Sequence, residues 1–198
     1  MSTLTLPPPV RTAPPPAPKR WTALEFDRLC GSGYFAGRRP FLIDGVILEQ
    51  GPMDAPHANA VVLVGQALAA VFTAGWVIRC QLPLHVDAMA NPMPDFAVVR
   101  GGARDFPKHP TTAELVVEVS DTTLTTDLTV KAERYAAAGT GEYWVLDVDA
   151  RRLLVFRDPA PHPANGNSYR THPTLGPADS VSPLAAPAAT VRVADLLP

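Results

Sequence analysis

Two apolar runs, each with a carboxylate among its apolar residues, constrain this chain more than any other feature. The first covers residues 94–99 (PDFAVV) and the second covers residues 114–120 (ELVVEVS). Both are rich in β-branched residues and are bounded by Pro, Gly or Thr, so both are predicted to be strands. Asp95 and Glu118 are then charged groups in segments with a buried composition. A carboxylate there needs a cation or hydrogen bonds to stay ionised.

The spacing of these acids predicts a divalent metal site. Side chains alternate along a strand, which places Val116, Glu118 and Ser120 on one face. If the two strands are neighbours, the Cβ atoms of Asp95 and Glu118 lie about 5 Å apart, or somewhat further on a diagonal. Two oxygen ligands with few His or Cys nearby favour Mg²⁺ or Mn²⁺ over Zn²⁺. We therefore expect these carboxylates to lie within about 6 Å of each other.

The remaining pattern predicts an α/β fold with a mixed central sheet flanked by helices. A capping box of Thr22 and Glu25 opens the first helix, and Asp44-Gly45 is a strong hairpin signal. Thr126 and Asp127 are suitable first residues for the last helix. Helices are predicted over 22–30, 56–74 and 127–138, and further strands over 41–43, 46–48, 76–82, 84–87, 142–148 and 153–156.

Length and proline content predict the domain organisation. The 198 residues fit one domain with a sizeable core plus tails, and 23 prolines are far above average usage. Residues 1–19 are predicted to be a disordered Pro-rich arm, because proline cannot donate a backbone hydrogen bond. Residues 20–158 form the predicted domain. Residues 159–198 are predicted to be irregular, with a short final strand near 190–193.

Cysteine usage, hydropathy and charge indicate where the protein is located and which partners it binds. Cys30 and Cys80 lack a paired metal-ligand spacing and are predicted to be reduced thiols of a cytoplasmic protein. No signal peptide is indicated, and no apolar run reaches the roughly 20 residues that a bilayer needs, so no membrane partner is expected. A net charge of -2 argues against a strong nonspecific polyanion binder but leaves a local basic patch open.

One loop is the best candidate for phosphate contacts. It follows residue 99 and carries Arg100, Arg104, Lys108 and His109. Loops on a rigid sheet commonly carry binding groups, which favours contact with a nucleic-acid backbone. A solvated surface loop explains the same composition.

Several motifs in a fixed order resemble a known family. They are Pro94-Asp95, residues 118–120 (EVS), residues 127–139 (D-x-x-x-K-x-x-x-Y-A-x-A-G) and residues 142–147 (EYWVLD). Upstream, residues 42–49 (LIDGVILE) and His57 match an opening hairpin and helix. Together, over roughly residues 20 to 160, they resemble the Uma-two family of putative restriction endonucleases, a branch of the PD-(D/E)XK nuclease superfamily.

The resemblance implies metal-dependent phosphodiester hydrolysis. Asp95, Glu118 and the Val119 carbonyl would hold Mg²⁺ or Mn²⁺. The superfamily usually has its Lys two residues after the Glu, where this chain has Ser120. In the resembling family that Lys lies on the next helix, which makes Lys131 the candidate. It would orient or deprotonate the attacking water and stabilise charge on the phosphorane.

Four further residues are candidate site members or accessory residues. The resembling family has an acid at the position of Glu49 and a His at that of His57, so both are candidate site members. Glu49 also suits an exposed strand end, and His57 a local hydrogen bond at a helix start. Asp127 and Ser120 are possible accessory residues. Without the resemblance, Asp127 and Lys131 would be a surface i,i+4 ion pair worth a few tenths of a kcal/mol.

One departure from the family keeps alternative functions open. Family members often carry an Arg-rich stretch before the helix acid, where this chain has residues 122–126 (TTLTT). The leading prediction is a metal-dependent endonuclease acting on DNA. The alternatives are a non-catalytic interaction or DNA-associated protein that keeps the nuclease fold, and an enzyme acting on another nucleotide or small phosphoester. A homodimer is compatible with each of them.

Overall fold

The structure is a computed structural model that describes residues 17–162 and 166–198. Residues 1–16 of the predicted Pro-rich arm lie outside the described residues. Within these described residues there are three helices and a central sheet. Helix α1 is Ala23–Gly31, and the predicted capping box of Thr22 and Glu25 is present. Helix α2 is Ala55–Val71, and its N-cap Asp54 accepts the backbone N–H of His57 at 2.9 Å.

Helix α3 consists of an α-helical turn Leu124–Thr126, a π-helical turn Asp127–Lys131 and an α-helical segment Ala132–Ala137. The prediction that it begins at Thr126 and Asp127 is wrong. The backbone N–H of Asp127 already donates to the Thr123 carbonyl at 3.1 Å, so Asp127 lies inside the helix. A π-helical turn within an α-helix is frequently found at functional sites.

Across residues 17–162 and 166–198, the strands form one large sheet and two small ones. They are β1 Pro40–Ile43, β2 Val46–Glu49, β3 Trp76–Cys80, β4 Phe96–Arg100, β5 Leu115–Ser120, β6 Glu142–Asp147, β7 Arg152–His162, β8 Gly166–Thr171, β9 Thr174–Leu175, β10 Ser180–Val181 and β11 Val191–Arg192. The seven-stranded sheet has the order β3-β4-β5-β6-β7-β8, with β9 also paired to β7. Its β5–β6 pair is parallel, with α3 as the crossover, and its other pairs are antiparallel. The predicted mixed α/β fold is confirmed.

Two predictions from proline and composition are wrong. Beyond Pro83, the predicted strand at 84–87 is replaced by irregular chain with one isolated bridge from Asp87. The segment from 159 onward was predicted to be irregular, yet β7 continues through it and pairs with β8. β7 pairs with β6 only as far as Arg157. Pro159 and Pro161 are therefore tolerated, because beyond Arg157 the edge of β7 that faced β6 has no partner strand that needs a backbone N–H. The short final strand is confirmed as β11.

Alternation along the strands gives the sheet two buried faces. One packs on α2, where Leu68 lies in the same apolar cluster as Val117 and Trp144. The other packs on α3, where Tyr135 lies in the same cluster as Val116. Residues 95, 97 and 99 share the α3 face with residues 116, 118 and 120. In the described part of the chain, no helix is long and apolar enough to cross a bilayer.

Candidate functional site

Asp95 and Glu118 lie side by side where β4 begins and β5 ends. Phe96 pairs with Val117 in the antiparallel register, which places Asp95, one residue earlier, opposite Glu118. Both acids lie on the α3 face, and only 4% and 3% of their surfaces are exposed. The prediction that they occupy neighbouring strands and share one face is confirmed.

The Asp95 carboxylate is fixed by hydrogen bonds. Its Oδ2 accepts the Val119 N–H at 2.8 Å, and its Oδ1 accepts the Gln81 side-chain amide at 3.2 Å. Burial alone would raise the pKa of Asp95, but the neighbouring His57 and these two donors hold the pKa below its ordinary value. Asp95 is therefore ionised and has a set orientation.

The Val119 backbone faces Asp95 at the edge of β5. The N–H and C=O of one strand residue point to the same edge of the strand. Since the Val119 N–H donates to Asp95, its carbonyl oxygen also faces that edge of β5. The β4–β5 ladder has ended at Phe96 and Val117, so this edge opens toward the cleft, which Val119 lines.

Lys131 bridges two buried acids. Its Nζ lies 3.0 Å from Glu118 Oε2 and 2.7 Å from Asp127 Oδ1, and only 14% of its side chain is exposed. The interpretation of Lys131 as half of a surface pair is therefore wrong. Burial disfavours the ammonium, but the two carboxylates outweigh it and raise the pKa of Lys131 above its ordinary range. Lys131 is held protonated.

Asp127 and Ser120 form the support behind Lys131. The Asp127 Oδ2 accepts the Ser120 hydroxyl at 2.8 Å and the Thr123 hydroxyl at 2.6 Å, which leaves Oδ1 for Lys131. Asp127 is fully buried. These contacts place both predicted accessory residues next to the site without exposing them to the cleft.

Tyr135 is a site residue that sequence reasoning missed. Its hydroxyl donates to Glu118 Oε1 at 2.8 Å, while Lys131 contacts the other oxygen of the same carboxylate. Burial and the adjacent Glu118 raise the pKa of Tyr135 well above its ordinary value, so it stays a donor. The available signal was its position four residues after Lys131, on the same helix face.

The site holds more negative than positive charge. Asp95, Glu118 and Asp127 are all buried, and the ammonium of Lys131 contacts Glu118 and Asp127. Burial raises the pKa of Glu118 to about 8 even though Lys131 opposes the shift. The nearby carboxylates of Asp127 and Asp95 contribute to the same shift. This electrostatic setting favours uptake of a cation.

A cleft of about 180 Å³ opens onto these groups. Six of the predicted site residues line it: Glu49, His57, Asp95, Glu118, Val119 and Lys131. Glu49 lies at the exposed rim of the cleft, where it forms an ion pair with Arg38.

His57 lies between two acids in this cleft. Its Nε2 is 3.9 Å from Asp95 Oδ1, too far for a hydrogen bond, and its Nδ1 is 3.6 Å from Asp121 Oδ2. Asp95 is the main cause of a raised His57 pKa, with Asp121 contributing. The His57 ring thus reaches the site instead of only closing a local turn. Asp121, directly after β5, was not anticipated.

The predicted phosphate-contacting residues lie elsewhere. Arg100 ends β4, at the opposite end of that strand from Asp95, and its guanidinium lies 4.4 Å from the centre of the Trp76 ring. Arg104 and Lys108 are exposed in the loop that follows. None of these three cations lines the cleft.

A mixed sheet with paired acids on adjacent strands and a lysine on the following helix defines a restriction-endonuclease-like nuclease fold. The model of the Uma2 family, described as a putative restriction endonuclease, matches residues 23–194. The chain therefore belongs to the Uma2 family, as the motifs predicted.

One solved structure supports the same fold. The crystal structure of a putative nuclease belonging to DUF820 from Anabaena variabilis ATCC 29413 aligns with a TM-score of 0.60 and 16% sequence identity. The alignment covers 79% of this chain and 88% of that chain. The search of curated proteins finds no match.

Proposed function

We propose that this protein is a metal-dependent endonuclease that hydrolyses phosphodiester bonds of DNA. The observation that carries the proposal is the buried contact of Lys131 with Glu118 beside Asp95, at the base of an open cleft. Membership of a family of putative restriction endonucleases supports the reaction class.

The residues present fit Mg²⁺ or Mn²⁺. Asp95, Glu118 and the Val119 carbonyl would hold the ion, and the excess of buried negative charge supplies the attraction. Within residues 17–162 and 166–198, no three His, Cys, Asp or Glu side chains form a metal-binding group. The proposed set accordingly has two carboxylates and one carbonyl, with water at the other positions, as Mg²⁺ commonly has. When bound, the ion would polarise the phosphoryl oxygen and lower the pKa of a coordinated water.

Lys131 acts in this proposal as a fixed positive charge. Its raised pKa keeps it protonated at neutral pH, so it orients the attacking water and stabilises charge on the phosphorane without abstracting a proton. Tyr135 and Asp127 hold the Glu118–Lys131 pair in place from behind. The protein's part is a preorganised arrangement that need not rearrange during the reaction.

Cleavage assays test the proposal. Purified protein is incubated with duplex DNA, single-stranded DNA, RNA and a small phosphodiester, with Mg²⁺, Mn²⁺ or a chelator. Asp95→Asn is compared with Asp195→Asn, a matched change at an exposed acid outside the cleft. We expect metal-dependent DNA cleavage by the wild type and Asp195→Asn that is lost in Asp95→Asn.

Each other outcome has a defined meaning. Equal cleavage by Asp95→Asn would place the activity in a contaminant or at another site. Cleavage of only the small phosphodiester or RNA would overturn the DNA assignment. No cleavage of any substrate with either metal would overturn the catalytic proposal and favour a non-catalytic protein with a nuclease fold.

A further inference from the structure

Gln81 has an unusual backbone conformation next to the site. Its φ is 49°, in the left-handed region that non-glycine residues seldom adopt. Two of the other described non-glycine residues with positive φ, Asp44 and Arg151, lie in hairpin turns, which commonly require it. Gln81 instead follows β3, directly opposite Asp95 in the continued β3–β4 register. A residue held in this region at a functional site invites a functional explanation.

The contacts of Gln81 link a cation to the Asp95 carboxylate. Its backbone N–H donates to the Asp95 carbonyl at 3.0 Å, and its side-chain Nε2 donates to Asp95 Oδ1 at 3.2 Å. Its Oε1 accepts from Arg39 Nη2 at 2.8 Å. Because Arg39 can only donate, it fixes which end of the amide faces Asp95. The Nε2 also lies 3.5 Å from Met53 Sδ.

We propose that Gln81, oriented by Arg39, is a positioning residue that holds Asp95 for binding of the divalent ion. This inference rests on the proposed function, in which Asp95 is a metal ligand. Val119 engages one carboxylate oxygen and Gln81 the other, so each oxygen is fixed yet keeps a lone pair for an ion. Hydrogen bonds of this kind orient metal ligands.

The neutral amide explains why a glutamine is used here. A Lys or Arg placed directly on Asp95 would neutralise the carboxylate and compete with the ion. The Gln81 amide donates a hydrogen bond without adding a net charge next to the carboxylate. The guanidinium of Arg39 stays one residue away, on the far side of the amide. Gln81 does not line the cleft, so it acts through Asp95.

The experiment measures Mn²⁺ affinity in the absence of substrate. Gln81→Gly removes the side chain and accepts the positive φ, whereas Gln81→Met keeps the length and loses the amide. Titration calorimetry on both variants should give Mn²⁺ dissociation constants at least about tenfold weaker than the wild type. Asp158→Gly is the matched control: Asp158 also has a positive φ, 61°, but lies in β7 outside the cleft, so Mn²⁺ affinity should be unchanged.

A kinetic measurement separates positioning from general damage. In the Gln81 variants the Mn²⁺ concentration for half-maximal cleavage should rise about tenfold, while the rate at saturating Mn²⁺ should approach that of the wild type. A purely structural role would lower the melting temperature and leave the Mn²⁺ affinity of the folded protein unchanged. That result would overturn the inference.

A third variant distinguishes failure of this inference from failure of the proposed function. If the wild type binds Mn²⁺ and Asp95→Asn does not, but Gln81→Gly binds as well as the wild type, the positioning role is wrong and the metal site stands. If the wild type binds no Mn²⁺, or Asp95→Asn binds it equally well, the metal site is wrong, and the role of Gln81 is overturned with it.

Discussion

The buried contacts of Lys131 predict a large loss of folding stability in the variant Lys131→Met. Lys131 Nζ contacts Glu118 and Asp127, and both acids are buried. Removing one partner of a buried ionic contact typically costs 3–5 kcal/mol, because the remaining charge is left without compensation. Glu118, whose pKa is already raised to about 8, can take up a proton and relieve part of this cost. We therefore expect the lower end of that range, about 3 kcal/mol.

Thermal and urea unfolding at neutral pH, with a chelator present, measure this loss. For a protein of this length, about 3 kcal/mol corresponds to a fall of roughly 10 °C in melting temperature. Arg192→Met is the control, because Arg192 also pairs with an acid but is 68% exposed. Its unfolding should be nearly unchanged, as expected for a surface ion pair.

The same variant tests the catalytic role of Lys131. Loss of a positioned cation should lower DNA hydrolysis at least about 10²-fold at saturating Mg²⁺. A melting temperature within about 2 °C of the wild type would refute the buried bridge, since that is the size expected of an exposed pair. Wild-type cleavage by a folded Lys131→Met protein would refute the catalytic role.

Three further predictions follow from the contacts of individual side chains. Mg²⁺ or Mn²⁺ should raise the melting temperature of the wild type and not of Asp95→Asn, and an equal rise in both would place the ion elsewhere. Tyr135→Phe should lower the free energy of unfolding by about 1.5–3 kcal/mol, because it removes a hydrogen bond to the buried Glu118. A change under about 0.5 kcal/mol in urea unfolding would show that this hydrogen bond does not contribute. The double variant Arg104→Ala, Lys108→Ala, in the loop after β4, should weaken DNA binding and reduce its salt dependence without changing the cleavage rate at saturating DNA. An unchanged binding isotherm would exclude phosphate contacts by this loop.

The sequence determined those features that depend on neighbouring residues. The β-branched runs around Asp95 and Glu118 specify strands, because a pleated, half-buried backbone suits such side chains. The capping box of Thr22 with Glu25 and the Asp44-Gly45 turn are equally local, and the structure contains both. The family motifs added the order of the elements.

Composition did not predict which segments pair as strands outside the hairpin turns. The segment after residue 158 contains prolines and small residues, which suggests irregular chain. In the structure β7 continues there because one of its edges no longer has a strand to bond. A proline is acceptable or disruptive according to which edge is paired, and only the assembled sheet decides that.

The tertiary structure also decided which polar side chains meet. An i,i+4 pair of Asp127 and Lys131 has the same spacing on an exposed helix and on a buried one, so sequence could not distinguish them. Burial of α3 against the sheet brings Lys131 and Tyr135 to the two oxygens of Glu118. The contact of Gln81 with Asp95 depends on the β3–β4 register. The placement of Asp95 and Glu118 on strands thus follows from the local sequence. The side chains that control the charge of these two acids reach them only through packing between distant segments.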